Sequence, residues 1–149
     1  MIGPAVYTDR ASILDIDLKC FYRPWTEDLW DYATQNYYIL VARCHGHVLG
    51  FSVYGNDSSK DRTVRLLKLG VKPIYRNHGV GTLLLHSSIA HIRQYKQEIE
   101  AWLPEQLVYE GAGHFLLKHD FKAFDVKHDI YSEPEGPEAA ILFRYYGNT

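Results

Sequence analysis

Cysteine is scarce in this chain. Cys20 and Cys44 are the only two among 149 residues, and no C-x-x-C joins them. A disulfide scaffold is thereby excluded, and two buried thiols in a reducing cytosol are expected. Long apolar runs are missing as well, since none approaches the ~20 residues that cross a bilayer. The first ten residues, MIGPAVYTDR, lack the charged-then-apolar order of a secretory signal. A cytoplasmic location without membrane attachment is the expectation. Nor does one sign of charge dominate: 16 Lys and Arg against 18 Asp and Glu leave a net charge of −2. No basic stripe appears, so nucleic acid is not an expected partner. Repeats, linkers and low-complexity tracts are absent.

Three well-known site patterns are also lacking. There is no G-x-x-x-x-G-K-[ST], and no G-x-G-x-x-G, because the third glycine after Gly79 and Gly81 is missing. There is no G-x-S-x-G elbow either, and Ser87-Ser88 falls in the middle of a helix-like stretch, which speaks against a serine hydrolase. What is present is the composition of one globular domain, residues 1–149, with 46% hydrophobic and 23% charged residues. Twelve tyrosines and three tryptophans are many for this length; they fit a core or a groove lining.

The chain is organised around Leu66–Ser88, LLKLGVKPIYRNHGVGTLLLHSS. Val64, Leu66, Leu67 and Leu69 read as a strand buried on both faces. Gly70 interrupts it, which suggests a bulge or a close backbone approach. Pro73 ends the ladder because it has no N–H to donate. Arg76, Asn77, His78, Gly79, Val80 and Gly81 then lead into a helix opening at Thr82. Two glycines at i and i+2 leave backbone amides uncovered, and the helix start adds unpaired N–H groups and its positive dipole end. Such a loop suits phosphate.

On either side of this stretch, Ala5 to Tyr7 reads as a short strand. Thr8 or Asp9 caps a helix to about Phe21, and Thr26 caps a second one. Tyr37–Cys44 and His47–Tyr54 form a hairpin about His45-Gly46. The helix after the glycines runs to about Lys96. Glu98–Leu103 alternates as a strand, a helix spans about Gln106–His119, and strands Phe121–Ile130 and Ala139–Tyr146 close the chain.

The order L-G-V-x-P-x-Y-R-N-x-G-V-G-T-L-L-L resembles the pyrophosphate loop of the GNAT acyl-CoA N-acyltransferases, and the element order β-α-α-β-β-β-α-β-α-β-β resembles their fold over the whole chain. Cys20-Phe21-Tyr22-Arg23-Pro24-Trp25-Thr26-Glu27 and the tail from Tyr131 to Leu142 are similar to the branch that acetylates the N-terminal alanine of a ribosomal protein. The resemblance implies an α/β (α+β) GNAT fold: a mixed, mostly antiparallel twisted sheet of about seven strands with four helices. It implies acetyl-CoA as co-substrate, no metal, and a peptide N-terminus or small amine as acceptor; oligomeric state is left open.

It also implies a site. The loop from Arg76 through Asn77, His78, Gly79, Val80 and Gly81 to Thr82 would hold the pyrophosphate, and the Leu69-Gly70-Val71 backbone would stabilise the thioester oxygen. Trp25 and Tyr131 would line the acceptor groove. Aligned through Phe121, the family's base falls on Pro104, its Asn on Tyr109 and its Tyr acid on Leu116. Glu105 or Glu100 then stands as substitute base, and Tyr109 or Tyr131 as substitute acid, with Tyr109 preferred. Non-catalytic acyl-CoA binding stays open for that reason. The histidines, His45-x-His47 and His86 with His91, lack the further ligands of a four-ligand metal spacing and read as surface or packing residues.

Overall fold

A computed structural model describes residues 1–21, 23–56, 62–94, 98–104, 111–131 and 138–146, with the backbone alone described at 104, 111, 127–131 and 138–140. The strands are β1 (Ile2–Pro4), β2 (Tyr38–Cys44), β3 (His47–Asn56), β4 (Thr63–Val71), β5 (Glu98–Pro104), β6 (Phe121–Tyr131) and β7 (Glu138–Tyr145). The helices are α1 (Arg10–Cys20), α2 (Glu27–Asn36), α3 (Val80–Arg93) and α4 (Gly111–Lys118). The seven strands form one sheet in the order β1-β2-β3-β4-β5-β7-β6. Among the described residues only β4 and β5 pair in parallel. The expected mixed α/β architecture of seven strands and four helices is the one observed.

Local chemistry sets several of these elements. Thr26 caps α2 by accepting from the Leu29 N–H at 3.2 Å. His45 (φ 50°) and Gly46 (φ 80°) put both turn residues in the left-handed region that a two-residue hairpin between β2 and β3 needs. The first strand lies at Ile2–Pro4 rather than Ala5–Tyr7, because its ladder is set by β2, with Gly3 opposite Val41. Asp9 does not cap α1 with its side chain. Its carboxylate accepts from the Val6 N–H at 2.8 Å and pairs with Arg43. Gly111 opens the described part of the last helix; the expected start at Gln106 falls among 105–110, outside the described residues.

The core has a layer on each side of the sheet. Under α3 and α4 lie Val64, Leu66, Leu85, Ile89, Ile92, Ile99, Ala101, Leu116, Phe121 and Phe143. Under α1 and α2 lie Ile13, Ile16, Trp30, Ala33, Val41, Phe51 and Val53. The strand β4 has no exposed position, as expected of a strand buried on both faces, but one of its buried side chains is charged: Lys68, at 5% exposure. The two cysteines also depart from expectation: Cys44 is exposed and Cys20 partly so, both as free thiols. Cys44 ends β2 beside the hairpin turn, at an exposed position.

Candidate acyl-coenzyme site

The parallel pairing of β4 with β5 covers only Thr63 to Leu66 opposite Glu98 to Ala101. Beyond that point β4 continues along β3 alone, to Val71 opposite Gly50, while β5 continues along β7 to Pro104 opposite Ala140. A break in an otherwise continuous sheet therefore opens between the C-terminal ends of two parallel strands. The register between β3 and β4 slips where Val53 faces Lys68 and Tyr54 faces Leu66, so the bulge falls on Leu67 rather than Gly70. Gly70 serves the other purpose open to it, close approach. A Cβ there would lie 3.1 Å from Phe21, 3.2 Å from Phe51 and 3.3 Å from Ile16. Gly50 is tighter still, with a Cβ only 2.7 Å from the Gly70 carbonyl oxygen.

After β4, Pro73–Tyr75 make one 3-10 turn, and Asn77 takes a left-handed φ of 66°. Gly79 caps α3 with a φ of 83°, a conformation that a Cβ would strain. The first helical bond runs from the Leu83 N–H to the Gly79 carbonyl at 3.0 Å, so the N–H groups of Val80, Gly81 and Thr82 precede the ladder. Gly79 has open space on its Cβ side, while a Cβ on Gly81 would touch Leu69 and Phe115 at 3.6 Å. Leu69 of β4, the first turn of α3 and Phe115 of α4 thus converge beside the break. No carboxylate occurs between Asp61 and Glu98, so this loop, with Lys72 and Arg76, lies in a stretch carrying only positive formal charge. That signal was available in the sequence.

Arg76 folds back on the strand end. Its Nε donates to the Val71 carbonyl at 3.1 Å and its Nη2 to Cys20 Sγ at 3.1 Å, while the Cys20 thiol donates to the same carbonyl at 3.3 Å. The loop residues from Arg76 through His78 to Gly79 are exposed. On the opposite face, Lys68 pairs with Asp17, itself 1% exposed. Asp17 also accepts from the Trp25 N–H at 2.8 Å and the Trp30 indole N–H at 3.0 Å. The Lys68 ammonium sits 4.3 Å from the Phe21 ring centre and 4.8 Å from that of Trp25. Burial pulls this ammonium's pKa below the usual lysine range, opposed by its bond to Asp17 and by that carboxylate's charge. The Cys20–Trp25 segment is therefore fastened from beneath. Nothing in the local sequence announced this, because Lys68 and Asp17 stand 51 residues apart.

The remaining candidates are spread more widely. Trp25 is half-buried and packs on Trp30 and Tyr37, with ring centres 4.8 and 6.1 Å away. Tyr131 ends β6 opposite Glu138 of β7, and Ala140 of β7 faces Pro104, so Tyr131 lies toward the same end of the sheet as the C-terminal ends of β4 and β5. Glu105 and Tyr109 lie outside the described residues. Leu116 is buried in the layer under α3. Glu100 is fully buried and accepts from Arg144 at 2.9 Å, so its charge is already balanced. A separate surface cavity of about 490 Å³, lined by Tyr37, Tyr38, Tyr54, Asn56 and His91 among others, lies at the opposite end of β3 from the glycine loop. Beside the loop, Thr82 Oγ1 lies 3.3 Å from His119 Nε2, and His119 Nδ1 lies 3.2 Å from His86 Nε2. Burial, then His86 and Lys118, hold the His119 pKa below the usual histidine value, against Asp120.

A seven-stranded sheet that parts between β4 and β5, with a glycine-rich turn feeding a helix at the break, matches what family comparison finds. The sequence pattern of the acetyltransferase (GNAT) family fits residues 10–121, and the chain belongs to that family. No match was found among curated proteins. Among solved structures, ribosomal-protein-S18-alanine N-acetyltransferase from Escherichia coli is 18% identical with a TM-score of 0.79, covering 97% of this chain and 92% of its own. Arabidopsis thaliana NAA60 in complex with a bisubstrate analogue is 15% identical with a TM-score of 0.80, over 97% and 96%. A GNAT family acetyltransferase from Elizabethkingia anophelis with acetyl-CoA bound is 15% identical with a TM-score of 0.75, over 97% and 96%. Among the described residues no helix is long and apolar enough to cross a membrane.

Proposed function

We propose that residues 1–149 act as one acetyltransferase domain that moves an acetyl group from acetyl-CoA to a primary amine, preferably the N-terminal α-amino group of a protein or peptide. The observation that carries this reading is the break between β4 and β5 with the uncovered α3 amides beside it. The N–H groups from Asn77 to Thr82 would hold the pyrophosphate, with Arg76 adding charge. The Leu69–Val71 backbone would lie along the thioester. Glu105 is assigned as base, Tyr109 as acid, and Tyr131 with Trp25 to the acceptor groove. In the reaction the neutral amine bonds to the carbonyl carbon, the C–S bond breaks, the base takes the amine proton and the acid hands one to the leaving thiolate. A peptide acceptor is favoured by the C-F-x-x-P-W segment and by likeness to the S18-alanine enzyme and to the plant protein bound to a bisubstrate analogue.

A second reading has its own support. Leu116, which aligns with the family's acid, is buried among apolar side chains. This favours an acyl-CoA-binding protein without turnover, or a small-amine acetyltransferase using another acid. Calorimetry with acetyl-CoA, followed by thiol release with mixed peptides and with small amines, decides among them. Turnover on peptides supports the first reading. Turnover on amines alone, or binding without turnover, replaces it. Absence of acetyl-CoA binding overturns both.

A further inference from the structure

We propose that His86 and His119 form a two-histidine chelate for Zn²⁺ or a similar borderline divalent cation, clasping α3 to the residue that follows α4. His86 lies on the second turn of α3 and His119 immediately beyond α4, 33 residues away. Their facing nitrogens, Nε2 of His86 and Nδ1 of His119, are 3.2 Å apart. Two imidazole nitrogens each about 2.0–2.1 Å from Zn²⁺ and 3.2 Å from one another subtend about 100° at the metal, close to tetrahedral.

The surroundings prepare one of the two ligands. The Nε2 of His119 lies 3.3 Å from Thr82 Oγ1, and the Phe115 ring packs against His119 at 4.7 Å between centres. With Thr82 accepting from Nε2–H, the lone pair of His119 is on Nδ1, facing His86; this is how a partner on the far nitrogen fixes a metal-binding tautomer. The other ligand is adjustable. His86 is exposed and its ring stands at 85° to that of His119; with its proton on Nδ1, its lone pair is on Nε2, the nitrogen that faces His119. Without metal, the same pair forms an N–H···N bond.

Imidazole nitrogen selects zinc and its d-block neighbours over magnesium or calcium, which prefer oxygen. Among the described residues no group of three or more His, Cys, Asp and Glu is arranged for a metal. Water therefore completes the coordination, and the site is open and exchangeable rather than structural. It does not depend on acetyl transfer, and its test reads metal binding alone.

The experiment is calorimetry of the chelator-treated full chain with ZnCl₂, and with MgCl₂ as control. One zinc equivalent and no magnesium response are expected. His86→Gln and His119→Gln should each abolish that equivalent, with the far-ultraviolet dichroism of the metal-free chain unchanged. Thr82→Val should keep the stoichiometry and weaken binding by about 10-fold or more. The exposed Cys44, opposite His47 in the β2–β3 hairpin, is the competing thiol–imidazole pair. Cys44→Ser should leave the zinc isotherm unchanged. Absence of zinc uptake overturns the proposal, as does uptake that survives both histidine replacements or is lost only with Cys44.

Discussion

Leu66 and Leu69 of β4 enter the aliphatic layer under α3, whereas Lys68 and Gly70 of the same strand meet Asp17, Phe21 and Ile16 beneath α1. The first face is held by volume and is indifferent to direction. The second face is held by a buried ion pair and three donors converging on one carboxylate, so it is directional. Apolar burial can bring a helix onto a sheet, but it fixes a loop only loosely. The segment from Cys20 to Trp25 is such a loop, and the Lys68–Asp17 pair specifies where it sits. In the proposed enzyme that segment borders the acceptor, so the polar face would govern the acceptor and the apolar face the coenzyme helix.

The largest expected effect comes from breaking the directional face. Asp17→Ala strands a buried ammonium and two N–H donors, at a cost of about 3–5 kcal/mol in denaturant unfolding. Lys68→Met should cost less, because Asp17 keeps the Trp25 and Trp30 donors. If Lys68→Met is active, its acceptor KM should rise while acetyl-CoA affinity holds. A small change on the apolar face should behave differently. Ile89→Val removes one methylene beneath α3 and should cost about 0.5–1.5 kcal/mol with acceptor KM unaltered. Equal effects on acceptor KM in both variants would remove the distinction between the faces.

A second ion pair sharpens the comparison through pH. Burial alone would raise the Asp9 carboxyl pKa, but the Arg43 bond, the Val6 N–H and the Arg43 charge outweigh it and hold it below its ordinary 3.8. A carboxyl depressed by folding stabilises the fold above its unfolded pKa, and that contribution is lost as pH falls through the folded value. The stability difference between the parent and Asp9→Asn should therefore be level above about pH 5 and shrink toward pH 3. A difference that grows on acidification would show that the Arg43 contact does not control this carboxyl.

Much of this was legible beforehand where the signal was local. Thr26 before an acidic first turn announced its cap, and the glycine pair announced a tight turn into a helix, although that helix opens at Val80 behind a left-handed Gly79 rather than at Thr82. The family order fixed the sheet. What escaped depended on partners far along the chain. The bulge fell on Leu67 because register against β3 decides it, and a glycine three residues later only marks a tight neighbour. A lysine between leucines read as part of an apolar strand until Asp17 came to meet it. His86 had no visible partner until the turn after α4 brought His119 beside it. The proposed base and acid, Glu105 and Tyr109, are substitutes for the positions where the family's pair falls, Pro104 and Leu116.

The smallest expected effects concern the loop itself, and two variants separate its backbone from its charge. Gly81→Ala meets only ordinary contacts in the free chain, at 3.6 Å from Leu69 and Phe115, so stability should stay within about 0.5 kcal/mol. Its Cβ nevertheless sits among the amides proposed for the pyrophosphate, so acetyl-CoA affinity should fall clearly. Arg76→Ala should matter less. The Arg76 guanidinium is exposed, and two of its nitrogens are already engaged, Nε with Val71 and Nη2 with Cys20. To reach a phosphate it must use its remaining nitrogen or give up a present partner, in water that screens its charge. The expected loss is about 0–1 kcal/mol, at most about fivefold in Kd, and it should shrink further as salt rises. Calorimetry of both variants in low and high salt is the check. A larger loss for Arg76→Ala than for Gly81→Ala would mean that the arginine swings onto the phosphates when coenzyme binds, and that charge rather than backbone holds them.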